Sequence, residues 1–242
     1  MKMDKEAFWR LIDEVNRSVD IGIHGEVLDE TIDRLVDLPA AEIVGWYNIQ
    51  GVYTNIAERD NLWAAYKAIR PQGTNDGFLN FRLWLISQGR DVYMATIHDP
   101  DFLARLDIPR RDVEFEDYGY APAFAYAIRA IIMQKGLDAL LFQFHRWCFR
   151  HSDILPVPGA FVSDQDTRFI WHKFCLDIAG LYDIHKAVGV PPMNARELHD
   201  IYMEFSASDM PAGMRRADEI QRFVPKLYKK YALQRFHGVT VR

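Results

Sequence analysis

Apolar side chains recur at the spacing of one helix face along the whole of this 242-residue chain. Near the start, Phe8, Leu11, Ile12 and Val15 show the pattern, and similar runs follow almost to the other end. Residues three and four apart share one face of an α-helix, so each run predicts an amphipathic helix. No strand-like alternation or repeat interrupts the series. The sequence therefore predicts an all-α bundle of about nine to eleven helices.

Composition narrows the class of protein further. With 49% hydrophobic and 26% charged residues the chain is too apolar for intrinsic disorder. Its best apolar stretch, residues 120–128, is far shorter than the roughly 18 residues that a membrane-spanning helix needs. The start carries no secretion signal, and two cysteines give no reason to expect a disulfide framework. We therefore expect a cytoplasmic protein with no membrane segment.

Charge is distributed unevenly along the chain. Residues 1–40 hold five Lys/Arg and ten Asp/Glu, whereas residues 211–242 hold eight Lys/Arg and two Asp/Glu. A basic end can bind phosphate backbones, but nucleic-acid-binding domains are usually basic overall and this chain has a net charge of -5. We interpret the basic residues as a solvated helix face and do not expect nucleic acid as a partner.

A charged stretch at residues 110–117 suggests where the chain divides. Helical patterns fill the sequence on both sides of it. We therefore expect a helical domain over residues 1–120. Residues 121–242 form either a second helical domain, giving two packed subdomains, or a continuation of the same bundle.

The run DGFLNFRLWLISQGR at residues 76–90 resembles the signature of a bacterial family catalogued as domain of unknown function 4240. The segments FWRLI at 8–12, LWAA at 62–65 and HDPD at 98–101 look like the family in the same order. The resemblance covers residues 7–125 and implies a helical fold, but no activity. The loop PQGTND at 71–76 departs from the glycines, cysteine and acidic residues usual in the family. Residues 126–242 resemble no family.

Two His-x-x-Cys pairs in the C-terminal half suggest a possible metal site. They are His145 with Cys148 and His172 with Cys175. Residues three apart share a helix face, so two packed helices could offer the two imidazoles and two thiolates that suit tetrahedral zinc. Both cysteines also fall on apolar stripes, which is typical of buried structural thiols. We favour no metal or cofactor, and keep a zinc-, iron- or haem-dependent enzyme at these residues, with His185, as the alternative.

Three large side chains of the signature run are candidate binding residues: Arg82, Trp84 and Arg90. The arginines could line an anion-binding cleft, since guanidinium groups recognise anions with paired hydrogen bonds. In the structural interpretation, which we favour, Arg82 pairs with a carboxylate of a neighbouring helix and Trp84 fills the core.

Acidic and aromatic residues alternate just before the expected domain boundary: Glu114, Phe115, Glu116, Asp117, Tyr118 and Tyr120. Such a segment is either a solvated connector or an interface, where aromatic residues are enriched. Phosphate-loop, dinucleotide-binding, nucleophile-elbow and zinc-protease motifs are all absent from the sequence. We therefore expect a non-enzymatic protein-binding module, comparable to an immunity or antitoxin protein, whose acidic, aromatic surface binds a partner with a basic surface. The oligomeric state stays open.

Overall fold

The computed structural model describes residues 2–108, 112–150, 164–182, 184, 195–203, 205 and 217–237. Within these residues all regular structure is helical, which confirms the predicted all-α fold. The α-helices are α1 Lys5–Ser18, α2 His24–Val36, α3 Ala40–Ile56, α4 Asp60–Ile69, α5 Asn75–Ser87, α6 Arg90–His98, α7 Ala121–Lys135, α8 Leu137–Arg150, α9 Asp164–Leu181, α10 Ala195–Met203, α11 Ala217–Phe223 and α12 Pro225–His237. Two 3-10 helices, η1 Pro100–Arg105 and η2 Glu116–Gly119, lie between α6 and α7. In this described part of the chain, none of the helices combines the length and the apolar character that a bilayer crossing requires.

Buried aromatic residues of α1, α3 and α6 form an aromatic core: Phe8, Trp9, Trp46, Tyr53 and Tyr93. The ring centroids of Phe8 and Trp46 lie 4.9 Å apart, and those of Trp9 and Tyr93 lie 5.1 Å apart. The Tyr93 hydroxyl donates a 2.6 Å hydrogen bond to the Tyr53 carbonyl oxygen. Burial raises the pKa of Tyr93 well above its usual value, so this donor stays protonated. Each ring pair adds about 1 kcal/mol beyond area burial, which fixes α1, α3 and α6 against one another.

Helix α5, which contains the signature run, is surrounded by other elements. The Thr74 side chain caps its start by accepting a 3.1 Å hydrogen bond from the Gly77 N–H. Phe81, Leu85 and Ile86 are fully buried, and α3, α4, α6 and η2 all pack against the helix. Because α5 has packing partners on most of its sides, most of its sides carry apolar residues.

Helix α7 begins directly after the expected domain boundary and contacts both halves of the chain. It packs against α2 and α3 of the first half and against α8 and α9 of the second. Phe124, Ile128 and Ile131 are buried in these contacts, and Arg129 donates a 2.8 Å hydrogen bond to the carbonyl oxygen of Val36 at the end of α2. Gly136 ends the helix with a φ of 84°, a conformation that favours glycine.

The 98–101 turn, as we call the segment from the end of α6 to the second residue of η1, holds the C-terminal helix α12 through the buried carboxylate of Asp101. Asp101 accepts hydrogen bonds from the backbone N–H groups of Lys226, at 3.0 Å, and Leu227, at 2.8 Å. These groups lie in the first turn of α12, where backbone donors have no partner within the helix. The Tyr231 hydroxyl adds a 2.7 Å bond to the carbonyl oxygen of Ile108. A side chain about 125 residues away in sequence thus supplies the N-terminal cap of α12.

One face of α2 is strongly acidic, and only part of it is neutralised. Arg168 and His172 of α9 bind Asp29, with contacts of 3.0 and 2.8 Å. Asp33, one turn further along, makes no ion pair among the described residues. Burial, followed by the charges of Asp29, Glu30 and Asp37, raises the pKa of Asp33. The folded state therefore holds this proton more tightly than the unfolded chain does.

Replacing Asp101 with alanine removes the cap of α12 and leaves the partly buried N–H of Lys226 and the buried N–H of Leu227 without their partner. We expect the free energy of unfolding to fall by about 2 kcal/mol, as measured by urea denaturation. The exposed Asp107 on the following loop provides a matched control. If Asp107→Ala and Asp101→Ala lose the same stability, the capping role of Asp101 is wrong.

Replacing Asp33 with asparagine should stabilise the protein at pH 7, because it removes like-charge repulsion on α2. Since the pKa of Asp33 is raised in the folded state, stability falls as pH rises through the window above the usual aspartate value of 3.8. We expect the free energy of unfolding to rise by about 0.5 kcal/mol at pH 7. This gain should vanish at pH 3, where Asp33 is protonated in both the folded and the unfolded state. Thermal melts at both pH values measure it. A gain of the same size at pH 3 would contradict the electrostatic explanation.

Candidate functional site

The aromatic residues of the acidic segment point into the protein. Phe115 is buried and stacks on His24, with ring centroids 4.2 Å apart and ring planes 7° apart. Tyr118 is buried behind it, with a centroid distance of 5.2 Å to Phe115. The Gln50 side-chain amide donates a 3.0 Å hydrogen bond to the Tyr118 carbonyl oxygen. Phe115 and Tyr118 therefore anchor the segment instead of lying on its predicted surface.

Glu114 is held in a closed network with α4. Its Oε1 accepts hydrogen bonds from the Tyr66 hydroxyl, at 2.8 Å, and from Arg70 Nε, at 3.1 Å. Burial, and then Glu114 itself, raises the pKa of Tyr66, so the hydroxyl remains a donor. A Cβ at Gly73 or Gly77 would lie 2.3 or 2.1 Å from the Tyr66 hydroxyl oxygen. The 71–76 loop thus contributes Gly73, a glycine that this tyrosine requires.

The exposed remainder of the segment forms what we call the η2 surface, consisting of Glu116, Asp117, Tyr120 and the neighbouring Leu79 of α5. Glu116 and Asp117 are exposed, and Tyr120 and Leu79 are each 41% exposed. Helix η2 packs on α5. A Cβ at Gly119 would lie 3.0 Å from the side chain of Leu83, one turn after Leu79. Exposed Glu116 and Asp117 thus lie on η2, with exposed Tyr120 directly after it and exposed Leu79 on the helix against which η2 packs.

The three candidates of the signature run do not share a cleft. Arg82 is buried and donates from Nη1 to the Thr54 carbonyl oxygen, at 3.0 Å, and to Glu58 Oε2, at 3.1 Å. Trp84 is buried at the wall of a cleft of about 250 Å³, which neither arginine lines among the described residues. Arg90 is exposed at the start of α6. This geometry matches the interpretation in which Arg82 pairs with a carboxylate of a neighbouring helix and Trp84 is a core residue.

The four candidate metal ligands lie on α8 and α9 without forming a joint site. Nε2 of His172 lies 2.8 Å from Asp29 Oδ1, Cys175 is fully buried and His145 is exposed. Burial raises the pKa of the Cys175 thiol and also that of the less buried Cys148 thiol. Neither cysteine therefore has the lowered pKa that is typical of an activated nucleophile. Among the described residues no group of three or more His, Cys, Asp or Glu side chains is arranged to hold a metal ion. His185 lies outside the described residues.

A larger cleft, which the sequence did not reveal, lies between α8 and α9. This α8–α9 groove has a volume of about 690 Å³ and is lined mainly by one face of each helix. Its wall on α8 includes Phe142, Arg146, Trp147 and Arg150. The only signal in the sequence is the interleaving of arginines with aromatic residues at helical spacing, and that pattern also fits an ordinary amphipathic helix.

Comparison with known proteins identifies the first half of the chain. The model of a family described as "Protein of unknown function (DUF4240)" matches residues 3–127, from before α1 into α7. No curated protein and no solved structure matches the chain. The matched region includes α5, the 98–101 turn and η2, which confirms the resemblance stated for residues 7–125. Because the match covers more than half of the 242 residues, the chain belongs to this DUF4240 family of proteins of unknown function.

Proposed function

We propose that this protein is a non-enzymatic protein-binding module that uses the η2 surface to dock on a basic partner. The observation that carries the proposal is the anchoring of this short segment. Buried Phe115 and Tyr118 hold the intervening Glu116 and Asp117 outward, and Tyr120 follows at the start of α7. A surface that is already ordered loses little conformational entropy on binding.

The chemistry of the η2 surface specifies the kind of partner. Tyr120 and Leu79 supply apolar area that a partner can desolvate, and tyrosine is enriched among residues that dominate binding energy. Glu116 and Asp117 at the rim favour Lys or Arg opposite them and speed the encounter electrostatically. The partner then carries a basic rim around an apolar pocket. Occluding such a pocket is how an immunity or antitoxin protein would act.

The alternative is a metal- or haem-dependent enzyme using His145, Cys148, His172 and Cys175. It gains no support from the described residues, where these side chains do not gather into one ligand set. The imidazole of His172 instead contacts Asp29 of α2. We therefore retain the binding module as the proposed function.

A photocrosslinking amino acid at position 120 tests this proposal in the cell that makes the protein. We expect it to trap one predominant basic protein, identified by mass spectrometry. The Glu116→Gln, Asp117→Asn double variant should slow association with that purified partner by about tenfold at low salt and much less at high salt.

The same crosslinker at the exposed Lys229 of α12 is the matched control. Trapping the same protein equally well from both positions, or an association rate that the double variant leaves unchanged, would contradict docking at the η2 surface.

A further inference from the structure

The α8–α9 groove arises because two helices pack against a third and only slightly against each other. Both α8 and α9 contact α7 extensively, whereas their mutual contact is small. Where they do meet, the Phe144 ring lies 5.2 Å from the Phe174 ring. The Trp147 ring of α8 also lies 6.2 Å from the Phe174 ring of α9, and beside these contacts the helices leave a cleft of about 690 Å³. Small-molecule sites in proteins have volumes of about 300–1,000 Å³, so the groove has the size of a ligand site.

The interior of the groove is apolar, and its opening exposes further apolar groups. Trp147, Phe174 and Ile178 line it and are buried. Phe142 and Leu181, from the two different helices, also line it but are 66% and 77% exposed. Large apolar side chains left in water on opposite walls of one cleft would gain free energy by covering an apolar ligand.

Three cations border this apolar cleft: Lys135 at the end of α7, and Arg146 and Arg150 one turn apart on α8. All three are exposed, and in the described part of the chain none of them forms an ion pair. The one carboxylate of the lining, Asp177, accepts a 2.5 Å hydrogen bond from the Trp147 indole N–H. The cleft therefore has an excess of positive charge, with guanidinium groups suited to paired hydrogen bonds with an anion.

We propose that the α8–α9 groove binds a small organic anion, with an apolar body against Trp147 and Phe174 and a carboxylate, sulfonate or phosphate head between Arg146 and Arg150. The spacing of the arginines, i and i+4 on one helix, places both guanidinium groups on the same side of the head group. This site lies on different helices from the η2 surface and is independent of the protein-binding proposal.

A pair of fluorescent dyes that differ by one negative charge tests this assignment on the full-length protein. 1-Anilinonaphthalene-8-sulfonate carries the sulfonate head, and N-phenyl-1-naphthylamine is its uncharged counterpart. We expect the sulfonate to bind one site, and the Arg146→Gln, Arg150→Gln double variant to weaken its affinity by at least about tenfold. The uncharged dye should bind the wild type and the double variant equally. Trp147→Ala should weaken both dyes.

The exposed Arg222 of α11 provides the control, since Arg222→Gln makes the same kind of substitution, with the loss of one positive charge, at a residue that does not line the groove. Circular dichroism and thermal melts verify that each variant is folded. Absence of sulfonate binding, or equal loss in Arg222→Gln and the double variant, would overturn the proposal. Displacement of the dye by an acidic helical peptide but not by dodecanoate would also overturn it, and would assign the groove to a protein partner.

Discussion

Packing of α7 against helices of both halves of the chain is the contact that organises the molecule. Phe124, Ile128 and Ile131 lie in that contact, and α2, α3, α8 and α9 all pack on this helix. With 15 residues, α7 is about 22 Å long. The η2 surface leads directly into its first residue, and Lys135 at its last turn borders the α8–α9 groove. One buried helix thus sets the positions of both proposed binding sites.

The part of the chain outside the family match contributes directly to the packing of the part inside it. Helices α11 and α12 pack against α4, and Asp101 of the 98–101 turn caps α12. This turn, which lies within the family match, therefore forms the docking site for α12, which lies outside the match.

The sequence predicted the helices well because helical burial leaves a repeated pattern, whereas the sites depend on contacts between distant segments. The segment around η2 illustrates the difference. A 3-10 helix has three residues per turn, so Phe115 and Tyr118 fall on one side and the acids between them on the other. Phe115 packs on His24 and Tyr118 on Trp46, and both partners lie far away in sequence. Alternating residue types alone therefore predicted the acids at the surface but misplaced these two rings.

The same limit applies in the C-terminal half. The sequence spacing correctly places His172 and Cys175 on one helix. It cannot show that the His172 imidazole contacts Asp29 of α2. Nor can it show a groove, because the space between α8 and α9 is set by how each packs on α7. From the sequence alone, Arg146 and Arg150 are indistinguishable from ordinary solvated charges. Only the structure shows that they line a cleft.

Hydrogen–deuterium exchange of the intact protein tests the central position of α7 most directly. If this helix is held by helices of both halves, amides of residues 124–132 should exchange as slowly as those of the core helix α3, residues 44–56. Residues 221–223 of helix α11, which are exposed, provide the fast reference within the same sample. Exchange of α7 at the rate of α11, with α3 still protected, would contradict the account, because α7 could then not hold both binding surfaces in place.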